Sequence, residues 1–202
     1  RRVLFRSDFI TPKSPVSRTF RDAVLELSRS LPFARALVNS GRLSDTAFLV
    51  DSELNSGDDE EIPGDMVPGA VMADAPVAGS AGESWLLETA GSGFVLYLYS
   101  ADASGLDDTL LQQLRLLSRG RISLESIVVA ERGTAPGLRT LHDAQGLFAE
   151  RYGARPGTCY LIRPDQHVCA RWRRFELSAV SAALARATCT VRGGTFDAEN
   201  RE

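Results

Sequence analysis

Cys159-Tyr-Leu-Ile-Arg-Pro-Asp-Gln-His-Val-Cys-Ala-Arg-Trp172 is the stretch on which the fold turns. Tyr160, Leu161 and Ile162 form an apolar run. Arg163-Pro164-Asp165-Gln166 interrupts it, and His167 to Trp172 then alternates Val168, Ala170 and Trp172 against Cys169 and Arg171. Proline fixes φ near the value that the first central position of a type I turn requires, and aspartate suits the places beside it. The stretch predicts a β-hairpin. Arg163, Pro164 and Asp165 make its turn, and Trp172 ends its second strand.

Working outward, the pattern keeps alternating from residue 84. Trp85 to Thr89 is a short element. Phe94-Val-Leu-Tyr-Leu-Tyr99 is continuously apolar and predicts a buried strand. Asp107 to Ser118 sets Leu110, Leu111, Leu114 and Leu117 on one helical face. Leu124 to Ala130, with Ile127-Val-Val129, predicts a second buried strand. Leu141, Ala144, Phe148 and Tyr152 are spaced as a helix closed by Gly153. Leu177, Val180, Leu184 and Ala187 mark a last helix. The order is β-α-β-α-β-β-α. Strand–helix–strand crossovers give parallel neighbours, and the hairpin adds an antiparallel strand. The expected class is α/β with a thioredoxin-like domain over residues 84–190.

A working thioredoxin needs Cys-x-x-Cys at the turn after its first core strand, where a helix N-terminus lowers a thiol pKa. That turn here is Ser100 to Asp108; it holds no cysteine, and its aspartates disfavour a thiolate. The three cysteines, 159, 169 and 189, form no Cys-x-x-Cys pair. They read as buried apolar residues and fit a reducing cytoplasm. Pro156 lies near the place where such folds often carry a cis-proline.

Other candidate chemistry is thin. His142 and His167 have no metal-ligand spacing with these cysteines, and His167 is expected to face solvent. Ser40 and Ser100 have no partnered histidine for a hydrolase triad. Gly91-Ser-Gly93 precedes a strand, whereas a phosphate cradle needs amides opening a helix. Arg171, Arg173 and Arg174 beside Trp172 admit two readings: a basic rim for an anionic ligand, or the commoner solvated strand edge.

Ahead of this domain, residues 1–50 form a helical, arginine-rich lead. Ser17 is a candidate N-cap, with Phe20, Val24, Leu27 and Leu31 at helical spacing; Pro32 breaks the run. Phe33 to Gly41 reads as a short second helix. This amphipathic segment needs an apolar surface, either an upstream FAD/substrate domain or this domain's own core. Residues 51–83 have linker composition, with an acidic run Asp58-Asp-Glu-Glu61 expected to be solvated and seven Pro or Gly punctuating 63 to 82. Met66 to Val77 is too apolar for a free linker and is expected to lie extended along a surface. Residues 191–202 form a tail.

The chain has 202 residues, 44% hydrophobic and 24% charged, with net charge −3. That composition is ordinary for a soluble globular protein and carries no basic excess for nucleic acid. No apolar run approaches a membrane span. Arg1-Arg-Val-Leu-Phe-Arg6 is too short and charged for a signal peptide, and Arg1 in place of an initiator methionine suits a fragment.

Three stretches, in order, carry a resemblance. "TPKSPVSRTFRDAVLELSRSLPFARALVNSGRLS" (11–44), the Pro68-Gly-x-x-x-x-Asp74-x-Pro76 segment and "LIRPDQHVCARW" (161–172) resemble the C-terminal region of FAD-dependent aromatic hydroxylases, the group of phenol hydroxylase and 3-(3-hydroxyphenyl)propionate hydroxylase. The resemblance implies a parent enzyme in which reduced flavin and oxygen hydroxylate a phenolic ring, with NAD(P)H as electron source. The G-x-G-x-x-G turn that holds FAD in that family does not occur in residues 1–202, so no catalytic, cofactor-binding or metal residue carries over. What it implies for this chain is a structural role: packing on upstream FAD/substrate domains, or a homodimer contact. The competing expectation is a free-standing thioredoxin-like interaction module; a third is a thiol-dependent enzyme.

Overall fold

The computed structural model describes residues 11–32, 34, 48–56, 58 and 61–190. The chain divides into two units, 1–46 and 47–202. In the first, α1 spans Pro15–Leu27. Its N-cap is Ser14, not Ser17: the Ser14 hydroxyl accepts the Ser17 N–H at 3.1 Å, and Pro15 takes the first helical position, where its missing N–H costs nothing. Val16, Leu25 and Leu27 are exposed. The helix read over Phe33 to Gly41, and the tail 191–202, lie outside the described residues.

The second unit is built on a seven-stranded sheet. Its strands are β1 Pro76–Gly79, β2 Gly82–Trp85, β3 Phe94–Asp102, β4 Leu124–Arg132, β5 Arg139–His142, β6 Cys159–Ile162 and β7 Val168–Trp172. Across the sheet they run β2-β1-β5-β4-β3-β6-β7. β3, β4 and β5 are parallel; β6 returns antiparallel to β3, and β7 antiparallel to β6. The helices are α2 Leu86–Thr89, α3 Asp108–Ser118, α4 Leu147–Arg151 and α5 Leu177–Ala187. The βαβαββα order that the sequence implies is present, with one strand more, β5, between β4 and α4. β3 and β4 are hydrophobic on both faces because α3 and α5 cover one side and α4 with the 61–75 segment covers the other.

The hairpin forms as its turn chemistry dictates. Gln166 N–H donates to the Arg163 carbonyl at 2.9 Å, closing a turn with Pro164 at its first central position. Gln166 itself is left-handed, with φ 65°, and the ladder shifts register between Leu161 and Ile162. A type I turn followed by one left-handed residue matches strand twist through a bulge.

Two readings change. Leu141 belongs to strand β5, not to a helix. It meets the same core as Phe148 and Tyr152, so three residues from two elements mimic one helical stripe. Asp143 separates the elements: its carboxylate accepts the N–H groups of Phe148 (3.1 Å) and Ala149 (2.9 Å), and Gly146 turns the chain at φ 69°. Second, the stretch of linker composition contains β1 and the start of β2, joined through Ser80-Ala81. Their four-residue strands lack a β-branched run, and glycines at 79 and 82 read as punctuation. Within the same stretch Ile62, Ala70, Met72 and Ala75 are buried. Among the described residues no peptide bond is cis, that of Pro156 included.

Candidate functional site

Thiol chemistry in this architecture would sit where β3 hands the chain to α3. A short 3-10 turn, Ala103–Gly105, fills that place. The Asp102 carboxylate accepts the Ser104 N–H and the Arg132 Nε–H, each at 3.0 Å; the bond from Arg132, then that from Ser104, holds its carboxyl below the usual range. Asp107 caps α3 by accepting the Leu110 N–H at 3.2 Å. The positive end of the helix is thus already met by a carboxylate, and residues 100–108 hold no cysteine. Cys159 and Cys169 are buried on β6 and β7, and Cys189 is exposed. Burial pushes the Cys169 thiol up to about 11 and the Cys159 thiol higher still. These are poor nucleophiles.

The hairpin motif is a structural corner. Arg163 pairs with the Asp165 carboxylate two residues on, across the turn. The other Asp165 oxygen accepts the His167 N–H at 3.2 Å. His167 is therefore not solvent-facing: its ring is only 15% exposed and its Nδ1 lies 3.1 Å from the Asp165 carbonyl. Trp172 is half-buried against the α5 side of the sheet.

The three arginines separate. Arg174 is exposed, but Arg171, expected at a solvated edge, is 3% exposed and bonded through two nitrogens to Asp58. Burial works against its charge, and Asp58 together with the Tyr160 hydroxyl more than offsets that, holding the guanidinium above its ordinary value. Asp58 in turn is not part of a freely solvated run. Arg173 reaches the carbonyls of Gly153 (3.1 Å) and Glu61. Both side chains hold the described residues of the 54–72 segment as a strap along β7. Main-chain bonds complete it: Ser56 N–H to Cys169, Gly69 N–H to Val168, Val168 N–H to Ala70 and Met72 N–H to Gln166, at 2.7–2.9 Å. Gly69, at φ 91°, lies so close to Leu49 that a Cβ would sit 2.4 Å from its carbonyl.

On the face beneath the strap, Phe148 stacks on Tyr152 at 4.5 Å and on Tyr99 at 5.9 Å, and Tyr160 meets Tyr152 edge-on. The hydroxyls are partnered: Tyr97 with Thr89, Tyr99 with Glu131, Tyr152 with the Ala73 carbonyl and Tyr160 with the Tyr152 carbonyl. Nothing in the sequence pattern pairs Asp58 with Arg171; their separation along the chain hides it. Among the described residues no group of His, Cys, Asp and Glu has metal-binding geometry, and no helix is long and apolar enough to cross a membrane.

No protein-family model and no curated protein sequence matches this chain. Solved structures do. The flavin-dependent monooxygenase PieE, in complex with FAD and substrate, is similar with a TM-score of 0.51 and 18% identity, over 89% of this chain and 31% of that one. Aklavinone-11 hydroxylase, in a ternary complex with FAD and aklavinone, gives 0.51 and 17%, over 83% and 33%. A thiol peroxidase from Chromobacterium violaceum gives 0.50 and 14%, over 60% and 87%. At such identities the likeness is one of fold, and that fold is thioredoxin-like. The chain spans about a third of the two hydroxylases.

Proposed function

We propose that this chain is the C-terminal part of an FAD-dependent, NAD(P)H-using aromatic-ring monooxygenase, and that its own role is structural, holding the catalytic domains or a subunit contact together. The observation that carries this reading is coverage. The likeness to the two hydroxylases extends over 89% and 83% of the chain, whereas the thiol peroxidase likeness covers 60%. The extra share has no counterpart in a thioredoxin-like domain standing alone. The buried, high-pKa thiols and the sulfur-free turn before α3 favour a role without dithiol exchange.

The Gly-x-Gly of this sequence is not placed as a flavin cradle. Gly91-Ser-Gly93 leads into β3, and a Cβ at Gly93 would meet the Ser123 carbonyl at 2.7 Å. A pyrophosphate cradle needs glycines that open a helix. FAD and NAD(P)H therefore belong to other parts of the proposed parent. Titrating FAD into residues 1–202 is expected to give no tight binding. The gene product extended upstream is expected to be yellow and to consume oxygen with NAD(P)H when an aromatic substrate is added. Stoichiometric FAD binding by this chain, or a colourless extended product, refutes the reading. Insulin reduction by this chain, lost on Cys→Ser changes, refutes the structural role.

A further inference from the structure

The sheet's two edges differ. The β7 edge is bonded by the strap at Val168 and Cys169, whereas β2 ends the sheet on the other side among the described residues. In the β1–β2 ladder Gly79 faces Gly82 and Val77 faces Ser84, and the Leu86 N–H donates to Ala75 at 2.8 Å. Antiparallel bonding alternates, so Gly82, Ser84 and Leu86 bond inward while Glu83 and Trp85 turn their main-chain groups outward. The Trp85 N–H is met by Glu88 Oε2 at 3.4 Å, and the same oxygen accepts the Ser84 hydroxyl at 2.7 Å. Among the described residues no partner meets the outward N–H and C=O of Glu83.

Beside this edge lies a cavity of about 570 Å³ lined by Glu83, Trp85, Glu88, His142 and Arg151 among others. Two basic side chains also line it, each bonded to a main-chain carbonyl: Arg151 donates to that of Asp74, and His142 Nε2 lies 2.8 Å from that of Gly133, so the Arg151 charge stands against two carboxylates. Its acidic groups have no ion-pair partner among the described residues. Glu88 is already fixed by Ser84 and the Trp85 N–H, and half of the Trp85 surface is exposed. An ordered carboxylate next to an open indole is a receptor for a cation.

We propose that the β2 edge docks an extended segment of another polypeptide chain that carries an arginine or lysine. The segment adds a strand at Glu83, and its cationic side chain enters the cavity lined by Trp85 and Glu88. A charge on an edge strand ordinarily repels indiscriminate pairing. Opposite a basic residue the same charge becomes attractive, so Glu83 selects rather than forbids. The main-chain groups of Glu83 favour a peptide over a small organic cation, because only a peptide offers both an acceptor and a donor there. The site lies wholly on β1, β2, α2 and the β5–α4 region and is independent of the flavoenzyme reading.

The test uses the full 202-residue chain, isotope-labelled, with the blocked pentapeptide Thr-Val-Arg-Val-Thr. Two analogues carry Gln or Glu at the centre, and a third carries N-methyl groups that prevent strand pairing. The Trp85 indole N–H and the Glu83 amide are followed by NMR. The arginine peptide is expected to shift both signals with a dissociation constant on the order of 1 mM, the Gln peptide to bind roughly tenfold more weakly, and the Glu peptide to give no shift. N-methylation is expected to abolish the Glu83 shift. Glu88→Gln retains the oxygen that holds Ser84 and Trp85, so it is expected to weaken the arginine peptide roughly tenfold while leaving thermal unfolding unchanged. Equal shifts from the Arg and Glu peptides overturn the proposal. So do the absence of any shift at about 10 mM, undiminished binding of the N-methylated peptide, and undiminished binding to Glu88→Gln.

Discussion

The two faces of the sheet are filled by different chemistry under different covers. One is aliphatic: Leu96, Leu98, Leu161, Val180 and Leu184 meet beneath α3 and α5. The other adds a ring cluster to aliphatic side chains such as Val95, Ile127 and Ile162: Tyr97, Tyr99, Phe148, Tyr152 and Tyr160 meet beneath α4 and the strap. The difference follows from hydrogen bonding. A regular helix uses its carbonyls internally and has none to offer a buried phenol. An irregular strap and a helix end do, and Ala73 and Tyr152 supply them. The hydroxyls of Tyr152 and Tyr160 thus go with an irregular cover, while those of Tyr97 and Tyr99 use the side chains of Thr89 and Glu131.

The sharpest way to break this contrast is Phe148→Ala. Phe148 touches three of the four tyrosine rings, so truncation is expected to cost about 3–5 kcal/mol in chemical denaturation. Leu114→Ala on the opposite face is expected to cost about 2–4 kcal/mol. A Phe148 loss well below that of Leu114 would mean that the aromatic face is not the stronger core.

Next in size is Asp58→Asn. It leaves the Arg171 charge buried with a weaker partner, and is expected to cost roughly 2–3 kcal/mol, less than for a fully enclosed pair because Asp58 is about a third exposed. Limited proteolysis is expected to cut within 54–72 before any other site in the second unit. A variant that resists protease as the parent does would show that main-chain bonds alone hold the strap.

Tyr152→Phe removes the hydroxyl bonded to Ala73 and is expected to cost about 1–2 kcal/mol. The same phenols set an alkaline limit. Burial raises the pKa of all four tyrosines, Tyr97 and Tyr99 to about 12. The fold favours their neutral form, so their contribution is whole below the unfolded phenol value of about 10 and is lost as pH rises toward 12. Tyrosinate absorbance is expected to appear late and together with unfolding. A simple titration centred near pH 10 in the folded protein would contradict it.

The smallest effect separates the thiols. Under native conditions Cys189 is expected to react with a disulfide reagent at once, and Cys159 and Cys169 only on unfolding. Rapid reaction of Cys169 would show that the β7 edge opens.

How far the sequence could be read follows the same division. α3 and α5 declare themselves because a long helix on an aliphatic face repeats its leucines. β3, β4 and the hairpin are equally plain, since continuous apolar runs and Pro164-Asp165 have few other outcomes. The aromatic side resists. Leu141 and Phe148 share a core from different elements, so their spacing misleads. β1 and β2 are too short to show alternation. The Asp58–Arg171 contact spans most of the domain and leaves no local trace, so neither the strap nor its clasp is visible before the sheet is assembled. Glu83, Trp85 and Glu88 escape for a related reason: their meaning depends on β2 being the outermost strand.

That position also limits how the molecule can multiply. A sheet with two open edges is bivalent: each copy added exposes another edge, and growth runs on into a fibre. Here the strap bonds the β7 edge at Val168 and Cys169, which leaves β2 as the unbonded edge among the described residues. On the proposed reading, strand addition at β2 joins this protein to one basic segment and then terminates, whereas two copies of β2, which has no basic residue, would set Glu83 against like charge.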